Sequence, residues 1–176
     1  MKYKVRRLER ADKRADFQSG NVDLDRFFRA YAGQNQFRHH IGTTYVAVDR
    51  SGFIAGFATA AASEIASEAL PVSKSKRLPR YPVPVLRLAR LAVDERAKGQ
   101  GVGAMLVRAM LVLSLRMAHE FGCVGVLVDA KAGAVPFYKK LGFVPLDSVA
   151  GRLEDRPEPL PMFLEISQVA GGAKGP

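Results

Sequence analysis

The order of apolar patterns along the chain predicts an α/β protein of the α+β kind, with helices covering the faces of a sheet. Three observations carry that reading. Strand-like and helix-like segments follow one another as β-α-β-β, a loop, then β-α-β-α-β. A β-hairpin is legible at TTYVAV, DRSG and FIAGFATAAA. An apolar run ending at Asp94 passes through a glycine-rich turn directly into a long helix. The 176 residues, 48% hydrophobic and 25% charged, make one domain's worth of chain. Residues 1–168 read as a single domain and residues 169–176 as a disordered tail, because VAGGAKGP has no apolar pattern.

Taken in order, residues 4–10 form a first strand. NVDLDRFFRAYAGQ (21–34) spaces Leu24, Phe27, Phe28 and Tyr31 at helical intervals, with Asn21 as N-cap. After the hairpin, residues 66–84 lose periodicity, gain prolines and basic residues, and read as a surface loop. VLRLARLAV (85–93) is a strand. The helix from about 101 to 120 has Arg108, Ser114, Arg116 and His119 as its main polar positions, so it should be packed over much of its surface. Arg108 and Arg116 also argue against its being a membrane span. CVGVLVD (123–129) reads as a central strand, AVPFYKKLGF as a short helix stopped by Gly142, and PMFLEI (161–166) as the strand that closes the sheet.

Lys and Arg outnumber Asp and Glu by 27 to 17, a formal charge of +10 that favours an anionic partner, nucleic acid first. The single cysteine, Cys123, lies in an apolar run and reads as a small buried hydrophobe. One cysteine allows no internal disulfide, as a reducing cytosol would favour, and the basic N-terminus lacks the apolar segment of a signal peptide. No His/Cys spacing suggests a metal. His39 and His40 read as helix-end residues.

Gly99, Gly101 and Gly103 stand between a strand and a helix, where free amides and the positive end of the helix dipole make an anion site. A P-loop is excluded, because the turn ends Gly103-Ala104-Met105 without the Lys-Ser/Thr pair. Gly99-x-Gly101-x-x-Ala104 satisfies the Gly/Ala form of a dinucleotide fingerprint, but Asp129, the nearest candidate ribose acid, comes late and few residues remain for further βα units. The third reading is a coenzyme A pyrophosphate turn, Lys98-Gly99-Gln100-Gly101-Val102-Gly103, with Lys where Gln or Arg is usual. Here the chain resembles the GNAT superfamily of acyl-CoA N-acetyltransferases over most of residues 4–166.

That resemblance implies a mixed, mostly antiparallel sheet flanked by helices with splayed central strands. It implies acetyl-CoA as co-substrate. Backbone groups of Leu91, Ala92 and Val93 would hold the pantetheine amides, and Lys98 with the amides from Gly99 through Gln100, Gly101, Val102 and Gly103 to Ala104 would hold the pyrophosphate. VDAKAGAVPFYKKLGF resembles the segment that packs on the coenzyme arm, with Phe137 against it and Tyr138 as general acid on the departing thiolate. A phenol near pKa 10 and a thiol near 8.5 can share that proton.

A narrower resemblance, to the TacT-type toxins of bacterial toxin–antitoxin pairs, rests on SGNVDLDRFFRAYAGQN, LPRYPVPV leading into LRLARLAVDERAKGQGVG, VDAKAGAVPFY and the late PM. It implies acetylation of the α-amine of aminoacyl-tRNA, arrested translation, a cytoplasmic site of action and a cognate antitoxin that covers the coenzyme or tRNA surface. Family members commonly pair, so a homodimer is a further expected partner. Lys74, Lys76, Arg77 and Arg80 in the loop supply charge for tRNA phosphates. Arg87 and Arg90 on the adjoining strand are read as sharing one face and lining the acceptor's entry. An α-amine titrates near 8, so a useful fraction is neutral without a base; Glu64, Glu68 and Asp94 are the conceivable bases. A protein N-terminus or small amine as acceptor is the alternative within enzymes. A non-catalytic RNA-binding module is the alternative outside them, thinly supported by Tyr81 among the basic residues.

Overall fold

The first strand, β1 (Lys4–Arg7), pairs antiparallel with β2 (Thr43–Val48) from Lys4↔Val48 to Arg7↔Tyr45 in a computed structural model describing residues 2–146 and 159–172. It stops short of the expected residue 10 because the chain turns back at Glu9, whose amide donates to Asp12 Oδ2 at 2.8 Å. β2 pairs with β3 (Ile54–Ile65) as the expected hairpin, with a register shift at Val48. Among the described residues, seven strands lie in the order β1-β2-β3-β4-β5-β7-β6, where β4 is Val83–Val93 and β5 is Gly125–Ala130. The sheet is mostly antiparallel and flanked by helices. β7 (Leu160–Glu165) does not close the sheet: it lies between β5 and the two-residue β6 (Val144–Pro145), which follows the Gly142 turn and pairs Val144↔Phe163.

Two compact units make up the chain, Met1–Ala61 with Leu88–Met110, and Ala62–Arg87 with Leu111–Pro176. In the first, α1 (Val22–Arg26) starts at Asn21, whose side chain accepts the Leu24 amide at 3.0 Å. It continues through a π-helical turn (Phe27–Tyr31), α2 (Ala32–Gln34) and a second π-helical turn (Asn35–His39). The helical run therefore continues beyond the 21–34 stretch to His39. Gly33 lies within it; a Cβ there would come 2.7 Å from the Arg14 guanidinium, the movable end of a flexible side chain. His40, in the left-handed region at φ 53°, ends the helix as expected. Phe28 stacks on Phe57 at 4.4 Å, and Leu8, Phe17, Phe27 and Val46 belong to the same core.

The second unit's core gathers Leu70, Val83, Val85, Leu127, Leu146 and Phe163. Leu70 belongs to the segment read as a surface loop, so that segment is anchored at its start and also carries a four-residue helix, α3 (Val72–Ser75). Cys123 is buried as expected: its thiol donates to Gly125 O at 3.1 Å, and burial pushes its pKa up.

α4 (Val102–Glu120) is long and apolar enough by composition to cross a membrane. It buries one stripe, Val102, Leu106, Val107, Met110, Ser114 and Met117, while Val112 is 67% exposed. The expectation of packing over much of its surface is thereby narrowed to one face. α5 (Val135–Lys140) ends where expected, with Gly142 at φ +94°. α6 (Ile166–Gly172) replaces the first part of the expected tail; Val169 is buried and the Ile166 amide donates to Val124 O at 3.0 Å. A tertiary contact orders a segment whose own pattern was blank. Residues 173–176, the rest of that tail, lie outside the described residues.

Candidate active site

The glycine turn is built backward from Asp94. This carboxylate is fully buried and accepts from the Gln18 amide at 3.1 Å, the Arg96 amide at 3.0 Å and the Arg96 guanidinium at 2.8 and 2.9 Å. Burial alone would push its pKa up, but these hydrogen bonds outweigh it and hold the carboxyl below the usual range. Asp94 is therefore committed to structure rather than available as a base. A 3₁₀ turn (Glu95–Ala97) follows, and the chain then crosses Gly99 at φ +76° and Gly101 at φ +77° before α4 begins.

A Cβ on either glycine would meet nothing within 4 Å, so the backbone conformation demands glycine, and the space above it is open. Gly103 is inside the first turn of α4 with no positive φ, so two of the three glycines, not all three, are conformationally required. The first helical bond runs from Met105 N to Gly101 O at 3.0 Å. Among the described residues, nothing accepts from the amides of Gly99, Gly101, Val102, Gly103 or Ala104. Five free donors, a helix dipole and the adjacent Lys98 fit a diphosphate. Ala92 is buried while Leu91 and Val93 are half-buried at the end of β4.

Beneath this turn, Gly56 of β3 allows close packing: a Cβ there would lie 2.9 Å from both Ala92 O and Val102 Cγ1. Arg90, also in this unit, has its guanidinium 3.8 Å from the centre of the Phe27 ring, and burial pushes its pKa down. A second group of arginines lines an open cleft of about 900 Å³, with Arg7 and Arg10 on its wall beside Glu9 and His40, and Arg10 over the Phe37 ring at 4.6 Å. The basic N-terminal run was the sequence signal for that cleft, but its convergence with residue 40 required the fold.

In the second unit, α5 presents Tyr138, 4% exposed, with Phe137 and Phe143 edge-on at 5.0 and 5.5 Å. Burial pushes its phenol up to about 12. Among the described residues no group hydrogen-bonds this hydroxyl. Arg87 is ion-paired with Asp129, the acid a dinucleotide reading would have used. Residues 87 and 90 are an odd number apart, which in a regular strand sends them to opposite faces, and their separate partners correct the expectation of one shared face. Lys74 is held by Glu165 at 2.8 Å, whereas Lys76, Arg77 and Arg80 are exposed. Glu64 and Glu68 are also exposed. His39 is in the last helical turn, as expected.

Open amides at a strand-to-helix turn, on a mostly antiparallel sheet flanked by helices, suit an acyltransferase that uses coenzyme A. The acetyltransferase (GNAT) domain model matches residues 40–145, and the chain belongs to that family. It is 33% identical over 125 residues to a tRNA-acetylating toxin of Mycobacterium tuberculosis, covering 71% of this chain and 74% of that one. Its fold is similar to that of AtaT complexed with acetyl-methionyl-tRNAfMet, with a TM-score of 0.85, 26% identity and coverage of 98% and 99% of the two chains. AtaTR bound with acetyl-CoA is likewise similar, with a TM-score of 0.80, 27% identity and coverage of 98% of this chain and 99% of that one.

Proposed function

We propose that the protein is an acetyl-CoA-dependent toxin that acetylates the α-amine of aminoacyl-tRNA and thereby blocks translation. The similarity to a tRNA-acetylating toxin across 71% of the chain carries this reading, and the formal charge of +10 agrees with a tRNA substrate. Such a substrate places its work in the cytoplasm. A cognate antitoxin, covering the coenzyme or tRNA surface, belongs to the same reading.

The amides of Gly99 to Ala104, with Lys98, bind the diphosphate of acetyl-CoA, which supplies the acetyl group as an activated thioester. Backbone groups of Leu91, Ala92 and Val93 hold the pantetheine arm, and the Val93 N–H polarises the thioester carbonyl. Attack by the neutral α-amine forms the C–N bond and breaks the C–S bond. Tyr138 gives its proton to the departing sulfur and recovers one from water, which also takes the proton lost by the amine. A phenol near 12 keeps its proton at any cellular pH. It is a weak acid toward a thiol of ordinary pKa near 8.5, but a thiolate formed out of water is raised for the same reason as the phenol. Lys76, Arg77 and Arg80 contact tRNA phosphates. Lys74, Arg87 and Arg90 join them only by exchanging their present partners.

Transfer of labelled acetyl groups from acetyl-CoA to total aminoacyl-tRNA tests this, with Tyr138→Phe alongside. Label should appear in RNA with the native protein and fall by about 10²-fold or more with the variant. Absence of label while acetyl-CoA still binds would move the acceptor to protein or small-molecule amines. Unchanged turnover in the variant would remove Tyr138 from the mechanism.

A further inference from the structure

Lys2 and Tyr3 reach the glycine turn from far away in sequence. Tyr3, only 5% exposed, donates its hydroxyl to Gln100 Oε1 at 2.9 Å, and Lys2 Nζ donates to the same oxygen at 2.8 Å. The other end of that side chain, Nε2, donates to Arg96 O at 3.1 Å. Both ends of the Gln100 amide are thus occupied, although the residue is exposed. Lys2 also rests over the Tyr3 ring, 5.1 Å from its centre.

Gln100 stands between the two glycines with positive φ, where the backbone has its widest freedom and the space beside each glycine is open. Among the described residues, main-chain bonds hold the turn through Gln100 N to Ala97 O at 3.3 Å and Met105 N to Gly101 O at 3.0 Å, and the Gly99 and Gly101 amides make none. The Gln100 side chain adds a second tether, to residues outside the turn. Amides that must converge on one anion lose affinity when they sample other directions, and a tether formed before the ligand arrives removes that cost.

We propose that Tyr3, assisted by Lys2, is a positioning residue for acetyl-CoA: through Gln100 it holds the Gly99–Gly101 amides in their diphosphate-binding arrangement. This rests on the reading of the turn as the acetyl-CoA site. It assigns the start of the chain a role in donor affinity, whereas the sequence shows there only a basic segment and a strand.

The test measures acetyl-CoA binding by calorimetry and, separately, kcat and both KM values for Tyr3→Phe, Lys2→Met and the pair combined. Loss of one hydrogen bond should raise the acetyl-CoA Kd and KM about 5–10-fold in Tyr3→Phe, and further in the combined variant. kcat at saturating acetyl-CoA and KM for the acceptor should stay within about twofold, a split that general destabilisation would not produce. In a Gln100→Leu background, Tyr3→Phe should add nothing. An unchanged acetyl-CoA Kd in the combined variant, or an equal penalty with and without Gln100, would overturn the proposal. Gly101→Val separates the two levels of the reading. If it abolishes acetyl-CoA binding while the combined Lys2 and Tyr3 variant leaves the Kd unchanged, only the tether falls; if it leaves binding intact, the turn assignment falls with it.

Discussion

Asp94 and Gly101 illustrate how single residues set the donor turn. Asp94 takes four hydrogen bonds while fully buried, so Asp94→Ala leaves the Gln18 and Arg96 amides unpaired and should cost about 2–3 kcal/mol, read by denaturant unfolding. Because its folded pKa lies below the ordinary carboxylate value, the stabilisation it brings is complete above about pH 4 and is lost as pH falls through the folded pKa. Native protein should therefore lose stability below about pH 4 more steeply than Asp94→Asn does in the same acid titration. Gly101 at φ +77° has open space above it, so Gly101→Val is strained by its backbone, not by a clash, and should weaken acetyl-CoA binding at least about 10-fold. Tyr138 keeps its proton to about 12, so activity in the native protein should show no alkaline loss from this phenol between about pH 7 and 10. A descending limb there, abolished in the residual activity of Tyr138→Phe, would contradict its burial.

At the scale of elements, the cap of α1 and the β5–β7 pairing were unequally legible. The Asn21 cap was readable because capping is local: the side chain reaches an amide three residues on. Asn21→Ala should cost about 1 kcal/mol, measurable as a lowered urea midpoint with unchanged m-value. Gly125 shows the opposite case. A Cβ on it would collide with Leu164 O and the Phe163 ring across the strand pair, a demand invisible in CVGVLVD. Gly125→Val should therefore disrupt that pairing, seen as loss of amide exchange protection along β5 and β7. Elements set by neighbours were the ones misjudged. α6 depends on Val169 finding a buried place and on the Ile166 amide finding Val124 O, and neither fact leaves a trace in the order of residues 166–172.

Across the whole molecule, the formal charge of +10 should govern the tRNA step. Replacing Lys76, Arg77 and Arg80 together by Ala should raise KM for aminoacyl-tRNA and reduce the slope of its log–log salt dependence by about 2–3. An unchanged slope would place the phosphate contacts elsewhere, with the cleft bearing Arg7 and Arg10 as the next surface to alter.

Strand and helix order, the Asn21 cap, the buried thiol of Cys123 and the turn at Gly99–Gly101 follow from local sequence. Propensity, apolar period and glycine's tolerance of positive φ act over a few residues. Tertiary structure decided which charges are already spoken for: Asp94 by Arg96 and Gln18, Lys74 by Glu165, Arg87 by Asp129, Arg90 by the Phe27 ring. It also decided that β7 lies inside the sheet and that Tyr3 meets Gln100. Partners for a side chain are chosen by distance in space, and apart from Asp94–Arg96 those pairs lie tens of residues apart in the chain, beyond the reach of any local pattern.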